Sequence, residues 1–156
     1  MISFDIPGFR ELSLSHLLLD FNGTIAQDGT LISGVREALD RLAPLLTIHV
    51  ITADTFGEAR EELRDVPCAL KLLIPGNQAE QKQGYLHELG ADITACIGNG
   101  RNDCLMLRDA AVGIAVMQKE GAAVAALQAA DMATGSIIDA LELFTNPLRL
   151  KATLRS

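Results

Sequence analysis

The apolar run at residues 14–21 carries one acid near its end, Asp20, and then turns through Asn22, Gly23 and Thr24. A carboxylate at that place is half desolvated and lies beside backbone N–H groups that can bind a phosphate. Such a carboxylate can attack phosphorus and form an aspartyl-phosphate. Taken alone, the same residues are also what an ordinary strand-to-loop turn uses. Three further places could complete a phosphoryl site. Thr52, followed by Ala53 and Asp54, closes a second apolar run and offers a hydroxyl to a phosphate oxygen. A lone threonine there also serves as a turn or cap residue. Lys82 offers an ammonium that would keep Asp20 ionised, an opposite charge typically lowering a carboxylate pKa by about 1–3 units. Lys71 competes for that role but falls inside an apolar run. Finally, Gly98-Asn99-Gly100-Arg101-Asn102-Asp103 combines two glycines with oxygen-bearing side chains. Hard oxygen donors around a phosphate suit Mg2+, which usually takes one or two carboxylates plus waters and phosphate oxygens.

The elements that must position these residues follow from the alternation of short apolar runs with amphipathic segments. Strands are expected at residues 14–21, 45–51, 69–74, 94–97 and 112–116, with a short edge strand at 132–134. Helices are expected at 34–42, 55–64 (begun by a Thr55 cap), 77–89 (closed by Gly90), 103–108, 122–129 and 137–144. Solidly apolar strands are buried on both faces. Strands alternating with helices of about ten residues imply parallel βαβ units. The expected fold is therefore α/β, a doubly wound, Rossmann-like parallel sheet in one domain spanning residues 1–156. Ligands of such sheets bind outside the carboxyl ends of the strands, and the Asp20, Thr52 and Gly98 segments all follow directly on expected strands.

Composition narrows the partners. The chain has 156 residues, 49% of them hydrophobic and 21% charged, which reads as one compact globular unit. Its formal charge is −7 and it has five Phe, one Tyr and no Trp. A nucleic-acid partner needs a cationic footprint, and none is visible beyond Arg149, Lys151 and Arg155, read as a solvated tail. No apolar run is long enough to cross a bilayer, and the N-terminus lacks the apolar core of a signal peptide. Cys68, Cys96 and Cys104 form no CxxC pair, which fits a reducing, cytoplasmic location. His16, His49 and His87 are scattered and indicate no metal cluster.

With its four motifs in this order, the chain resembles the haloacid dehalogenase (HAD) superfamily. The first motif of that family is Asp-x-Asp-Gly-Thr, here residues 20–24; the second is Thr52, the third Lys82, and the fourth residues 98–103. The run from Ile51 to Gly57 and the Asn102-Asp103 ending look closest to soluble relatives of the P-type ATPase phosphorylation domain. The resemblance implies Asp20 as nucleophile and Lys82 as its catalytic cation. It implies that Asn22, Gly23, Thr24, Thr52 and Ala53 bind the phosphorylated substrate. It implies Mg2+ held by Asp20, the Asn22 carbonyl, Asn99 and Asp103. No segment between Thr24 and Lys82 is long enough for a cap domain, so the site is open to large substrates unless a partner copy closes it.

Two positions depart from the family pattern. Asn22 stands where phosphatases carry an acid, and an amide neither gives nor takes the proton; general acid–base groups are usually worth about 10²–10⁴-fold. Asn99 stands where a metal-binding aspartate is usual. Two readings follow: a slow Mg2+-dependent phosphatase working through phospho-Asp20, or a degenerate member that binds phosphate or metal without turnover, as a regulatory or interaction module.

Overall fold

The computed structural model describes residues 1–54 and 57–156. Its centre is a six-stranded sheet. In chain order its strands are β3 (His16–Asp20), β6 (Thr47–Thr52), β7 (Ala69–Leu72), β8 (Thr94–Gly98), β9 (Val112–Val116) and β10 (Met132–Thr134). The spatial order is β10-β9-β8-β3-β6-β7, and every pairing is parallel. β3 lies in the middle, hydrogen-bonded to β6 through Asp20↔Ile51 and to β8 through Leu19↔Ile97. The α/β doubly wound expectation holds.

Burial on both faces explains the apolar runs. Leu17 and Leu19 enter one core cluster, with Val35, Leu39, Ile137 and Phe144, while Leu18 enters another, with Ile51, Leu86 and Met106. Each leucine is fully out of water, an effect worth about 1.5–3 kcal/mol per side chain. The first cluster lies under α1 (Val35–Leu42) and α6 (Ile137–Thr145); the second lies under α3 (Gln78–Leu89) and α4 (Cys104–Asp109). The remaining helices are α2 (Glu58–Glu62), α5 (Val124–Ala129) and α7 (Pro147–Leu154).

Several boundaries differ from the sequence reading. The run expected at 14–21 breaks at Ser15, and β3 starts at His16. Before it an antiparallel hairpin, β1 (Ile2–Ile6) with β2 (Arg10–Leu14), buries Ile6, Leu12 and Leu14 against the first cluster. Its pattern alternates only partly, which is why the sequence does not announce it. A second small hairpin, β4 (Ala26–Gln27) with β5 (Thr30–Leu31), turns at Asp28-Gly29 and, with α1, makes the connection from β3 to β6. The Thr55 cap lies outside the described residues. Asp54 accepts from Gly57 N at 3.0 Å and Ala59 N at 3.2 Å, ahead of α2. Gly90 does close α3 with a positive φ of 96°, but its ψ of 103° is not the compact left-handed cap. The C-terminal residues expected as a solvated tail form α7, with Pro147 in its first turn and Leu150 fully buried. Arg149 still faces water, pairing with Glu142 at 2.8 Å. Among the described residues, no helix is long and apolar enough to cross a membrane.

Candidate active site

Each strand that the sequence flagged delivers its polar residue to the same end of the sheet. Asp20 closes β3, Thr52 closes β6, and Gly98 closes β8 just before Asn99. β3 lies between the other two strands, so the three segments converge. Between them is a cleft of about 240 Å³ lined by Asp20, Asn22, Thr52, Ala53, Lys82 and Asn99, with Gln78, Gly100 and Asn102 at the same opening.

Lys82 reaches this end from α3. Asn77 caps that helix by accepting from Glu80 N. One turn in, the Lys82 side chain passes through the interior and is 1% exposed. Its Nζ donates to Asp20 Oδ1 and to Asp103 Oδ1, both at 2.6 Å. Lys71, the competing cation, is exposed on the edge strand β7 with its Nζ over the Tyr85 ring. The ammonium at the site is therefore that of Lys82.

Asp103 stands behind the lysine, fully buried. Its Oδ2 accepts from Asn99 N at 3.0 Å and Gly100 N at 2.8 Å, which fixes the loop after β8. A Cβ on Gly98 would lie 2.6 Å from the Asp103 carboxyl carbon, so the strand end must be glycine for the acid to tuck beneath it. Thr24 is also fully buried; its hydroxyl lies 3.1 Å from Asp20 Oδ2 and 3.2 Å from Asn99 Oδ1, with one proton to share between them. Gly23 has φ 79°, and a Cβ there would collide with the Asn99 side chain. Gly23 and Thr24, expected at the phosphate, therefore lie beneath the cleft and brace Asp20 and Asn99. The expected metal ligand Asp103 likewise does not line it.

Two carboxylates share one ammonium in a buried place. Burial first, and then the Asp103 charge, push the Asp20 carboxyl up to about 6, against the pull of Lys82 and Thr24. Burial alone would lower the Lys82 ammonium, but Asp20 and Asp103 together hold it above its usual value. The surplus negative charge and the oxygen donors make a place for a further cation. Asp20, the Asn22 carbonyl and the Asn99 amide oxygen are hard donors of the kind Mg2+ takes, and Asp103 adds charge from behind. The donor set fits Mg2+, with a single carboxylate on the cleft wall.

Residues that the sequence reading passed over also hold the site. Gln118, which follows β9, donates from Nε2 to the carbonyls of Gly23 at 3.1 Å and Thr24 at 2.8 Å, and accepts from Ile137 N at 2.8 Å. It ties the turn after Asp20 to the start of α6. Asn102 donates to Gln78 at 2.7 Å across the cleft rim. Gln118 sits outside the carboxyl end of a strand, so the strand-end rule that picked Asp20 also reaches it. Asn99 Nδ2 donates to Gly121 O at 3.1 Å, a bond that an aspartate could not make.

Known proteins share parts of this picture. No family model matches the chain. The uncharacterized protein MJ0073 of Methanocaldococcus jannaschii is 48% identical over 59 residues, 38% of this chain and 63% of that protein, so the match spans less than two thirds of that relative. The uncharacterized protein MJ0072 of the same organism is 49% identical over 39 residues, 25% of this chain and 89% of that protein. Among solved structures, the cobalt-bound deoxy-D-mannose-octulosonate 8-phosphate phosphatase of Haemophilus influenzae superposes with a TM-score of 0.71 at 12% identity, over 92% of this chain and 94% of that one. The 3-deoxy-D-manno-octulosonate 8-phosphate phosphatase of Moraxella catarrhalis, solved with magnesium and phosphate, gives 0.65 at 18%, over 91% and 94%. A zinc-transporting PIB-type ATPase gives 0.60 at 23%, over 79% of this chain and 20% of that one. The chain thus belongs to one sequence family with MJ0072 and has the HAD-like fold, as its ordered strand-end motifs imply.

Proposed function

We propose that the chain is a Mg2+-dependent phosphoryl-transfer hydrolase that works through an aspartyl-phosphate on Asp20. The observation that carries this reading is Lys82, bonded at once to Asp20 and Asp103 where three parallel strands end around one cleft. A carboxylate so held is ionised when a cation joins it, faces the cleft, and cannot rotate away. Thr52 and the Lys82 ammonium, which line the same cleft, would take the phosphoryl oxygens. Mg2+, held by Asp20, the Asn22 carbonyl and Asn99 with Asp103 behind, would offset charge on those oxygens. The phosphatases and the ATPase that share the fold support phosphoryl chemistry of this kind.

The substrate is a phosphorylated small molecule or protein. The chain acts as one domain in the cytoplasm, away from nucleic acid and membranes, and either its substrate is large or a second copy closes the capless site. The test is phosphate release from an aryl phosphate with Mg2+, compared between wild type and Asp20→Asn. The expected outcome is slow turnover that vanishes in the variant; equal rates would refute the assignment.

One observation favours a second reading, a binding module without turnover. The Asn99 amide is built into the loop through Gly121, so the loss of that acid is matched by its surroundings. Phosphate or Mg2+ binding with no phosphate release, unchanged by Asn22→Asp, would select it.

A further inference from the structure

The proton inventory of the cleft bears on which phosphoryl donors it can use. A leaving oxygen must depart with its electron pair, and an alkoxide does so only if a proton reaches it. Asn22 is exposed and lines the cleft two residues after Asp20, and its amide has no acidic proton to deliver. No neighbour among the described residues replaces it. Of those lining the cleft, the titratable groups are Asp20 and Lys82 alone, and each is bound to the other. Gln78 and Asn102 are amides joined to one another. Asp103 lies behind Lys82, fully buried. Asp54, which follows Ala53 out of the cleft, has an oxygen on Gly57 N and the other on Ala59 N.

We infer that this site, given the function proposed above, is selective for activated phosphoryl donors, those whose leaving group departs as a stable anion. Acyl phosphates and aryl or enol phosphates belong to that class; alkyl phosphates, including sugar phosphates, do not. In the first step an Asp20 oxygen bonds to phosphorus and the bond from phosphorus to the leaving oxygen breaks. The electron pair leaves on a carboxylate, phenolate or enolate, which needs no proton from the protein. In the second step water adds to phosphorus, the bond to Asp20 breaks, the carboxylate is restored, and solvent takes the water's proton. With no base at residue 22 this second step is slow, so phospho-Asp20 accumulates.

The experiment measures kcat/KM of the full chain with Mg2+ for acetyl phosphate, p-nitrophenyl phosphate, phenyl phosphate and ethyl phosphate. That constant reports the steps up to departure of the leaving group. Wild type is expected to fall steeply along the series. Asn22→Asp should raise ethyl phosphate by roughly 10²–10⁴-fold, the usual worth of a general acid, and acetyl phosphate far less. Asn22→Ser, which restores no acid, should leave the fall along the series steep whatever its absolute rates, and so separates the effect of a carboxyl group at residue 22 from that of disturbing the position. Wild-type turnover of ethyl phosphate within about tenfold of acetyl phosphate, abolished by Asp20→Asn, would overturn the selectivity while leaving phosphoryl transfer intact. An equally steep profile in Asn22→Asp would overturn the role given to residue 22. Absence of Asp20-dependent turnover or phosphorylation with every donor would remove the proposed function and this inference together.

Discussion

Two polar clusters lie at different heights on β3, each reached from α3, and they differ in kind: one joins these elements to the segment after β8, the other to β6. At the carboxyl end, Asp20 and Asp103 share Lys82 of α3. At the other end, roughly 13 Å away along a strand rising ~3.3 Å per residue, His16 Nδ1 lies 3.1 Å from His49 Nε2, and His49 Nδ1 lies 2.9 Å from the Tyr85 hydroxyl. Tyr85 comes from the same face of α3, one turn after Lys82. In the histidine chain one proton serves each contact, and the cluster is satisfied while neutral. Burial, and then His16, lower the His49 pKa. In the carboxylate cluster one ammonium faces two acids, and burial leaves Asp20 strained toward its protonated form. The histidine cluster pairs its polar atoms among themselves, whereas the carboxylate cluster sets two acids against one ammonium.

The largest difference between the ends should appear on breaking each centre. Lys82→Met leaves two buried carboxylates facing each other, and removing one partner of a buried ion pair costs about 3–5 kcal/mol. Urea unfolding at pH 8 is the measurement, and phosphate release should be lost as well. Tyr85→Phe removes one neutral hydrogen bond and should cost only about 0.5–1.5 kcal/mol, with turnover little changed. A similar loss from both would erase the contrast.

The next effect is a gain. The Asp20 carboxyl moves from 3.8 to about 6 in the fold. The folded state therefore binds this proton more tightly than the unfolded chain does, and stability from this group is lost as pH rises through about 6. Asp20→Asn should raise Tm at pH 8 in the absence of Mg2+, by about 2–4 °C for each kcal/mol relieved, and the advantage should fade as pH falls below 6. Thermal melts across pH check this. Phosphorylation of Asp20 should decline on the same acid limb, and Mg2+ should move that limb to lower pH.

The smallest effect belongs to the histidines. With the folded His49 pKa below its ordinary value, the unfolded chain binds more protons as pH drops through about 6.5, so stability falls with it. His49→Gln should flatten this slope. Denaturant midpoints at pH 7.5 and 5.5 measure it.

The two clusters were unequally legible. The acidic one announces itself because polar residues closing apolar strands have few uses, and because three such segments and one helix lysine recur in order. The histidine chain does not: His16 and His49 look scattered, since 33 residues separate them. They meet only because β3 and β6 pair in the register His16↔Thr47, which sets their side chains on the α3 face. Lys82 was named from its motif, but its choice over Lys71 needed the path of α3 through the interior. The hairpin at the N-terminus and the helix at the C-terminus were missed because each buries only a few residues, too few for a clear periodicity.

By itself the sequence determined the parallel α/β sheet, since unbroken apolar runs alternating with helices have few other ways to leave water. It also marked Asp20 as the carboxylate at a strand end, with the amides Asn22 and Asn99 in the first and fourth motifs. Only the tertiary structure decided that Asp103 and Thr24 lie beneath the cleft rather than on its wall, that Gln118 ties the Asp20 turn to α6, and that among the described residues no second proton donor replaces Asn22. Those facts depend on which side chains the packing of strands and helices brings within about 3 Å of one another, and residue order does not encode such distances directly.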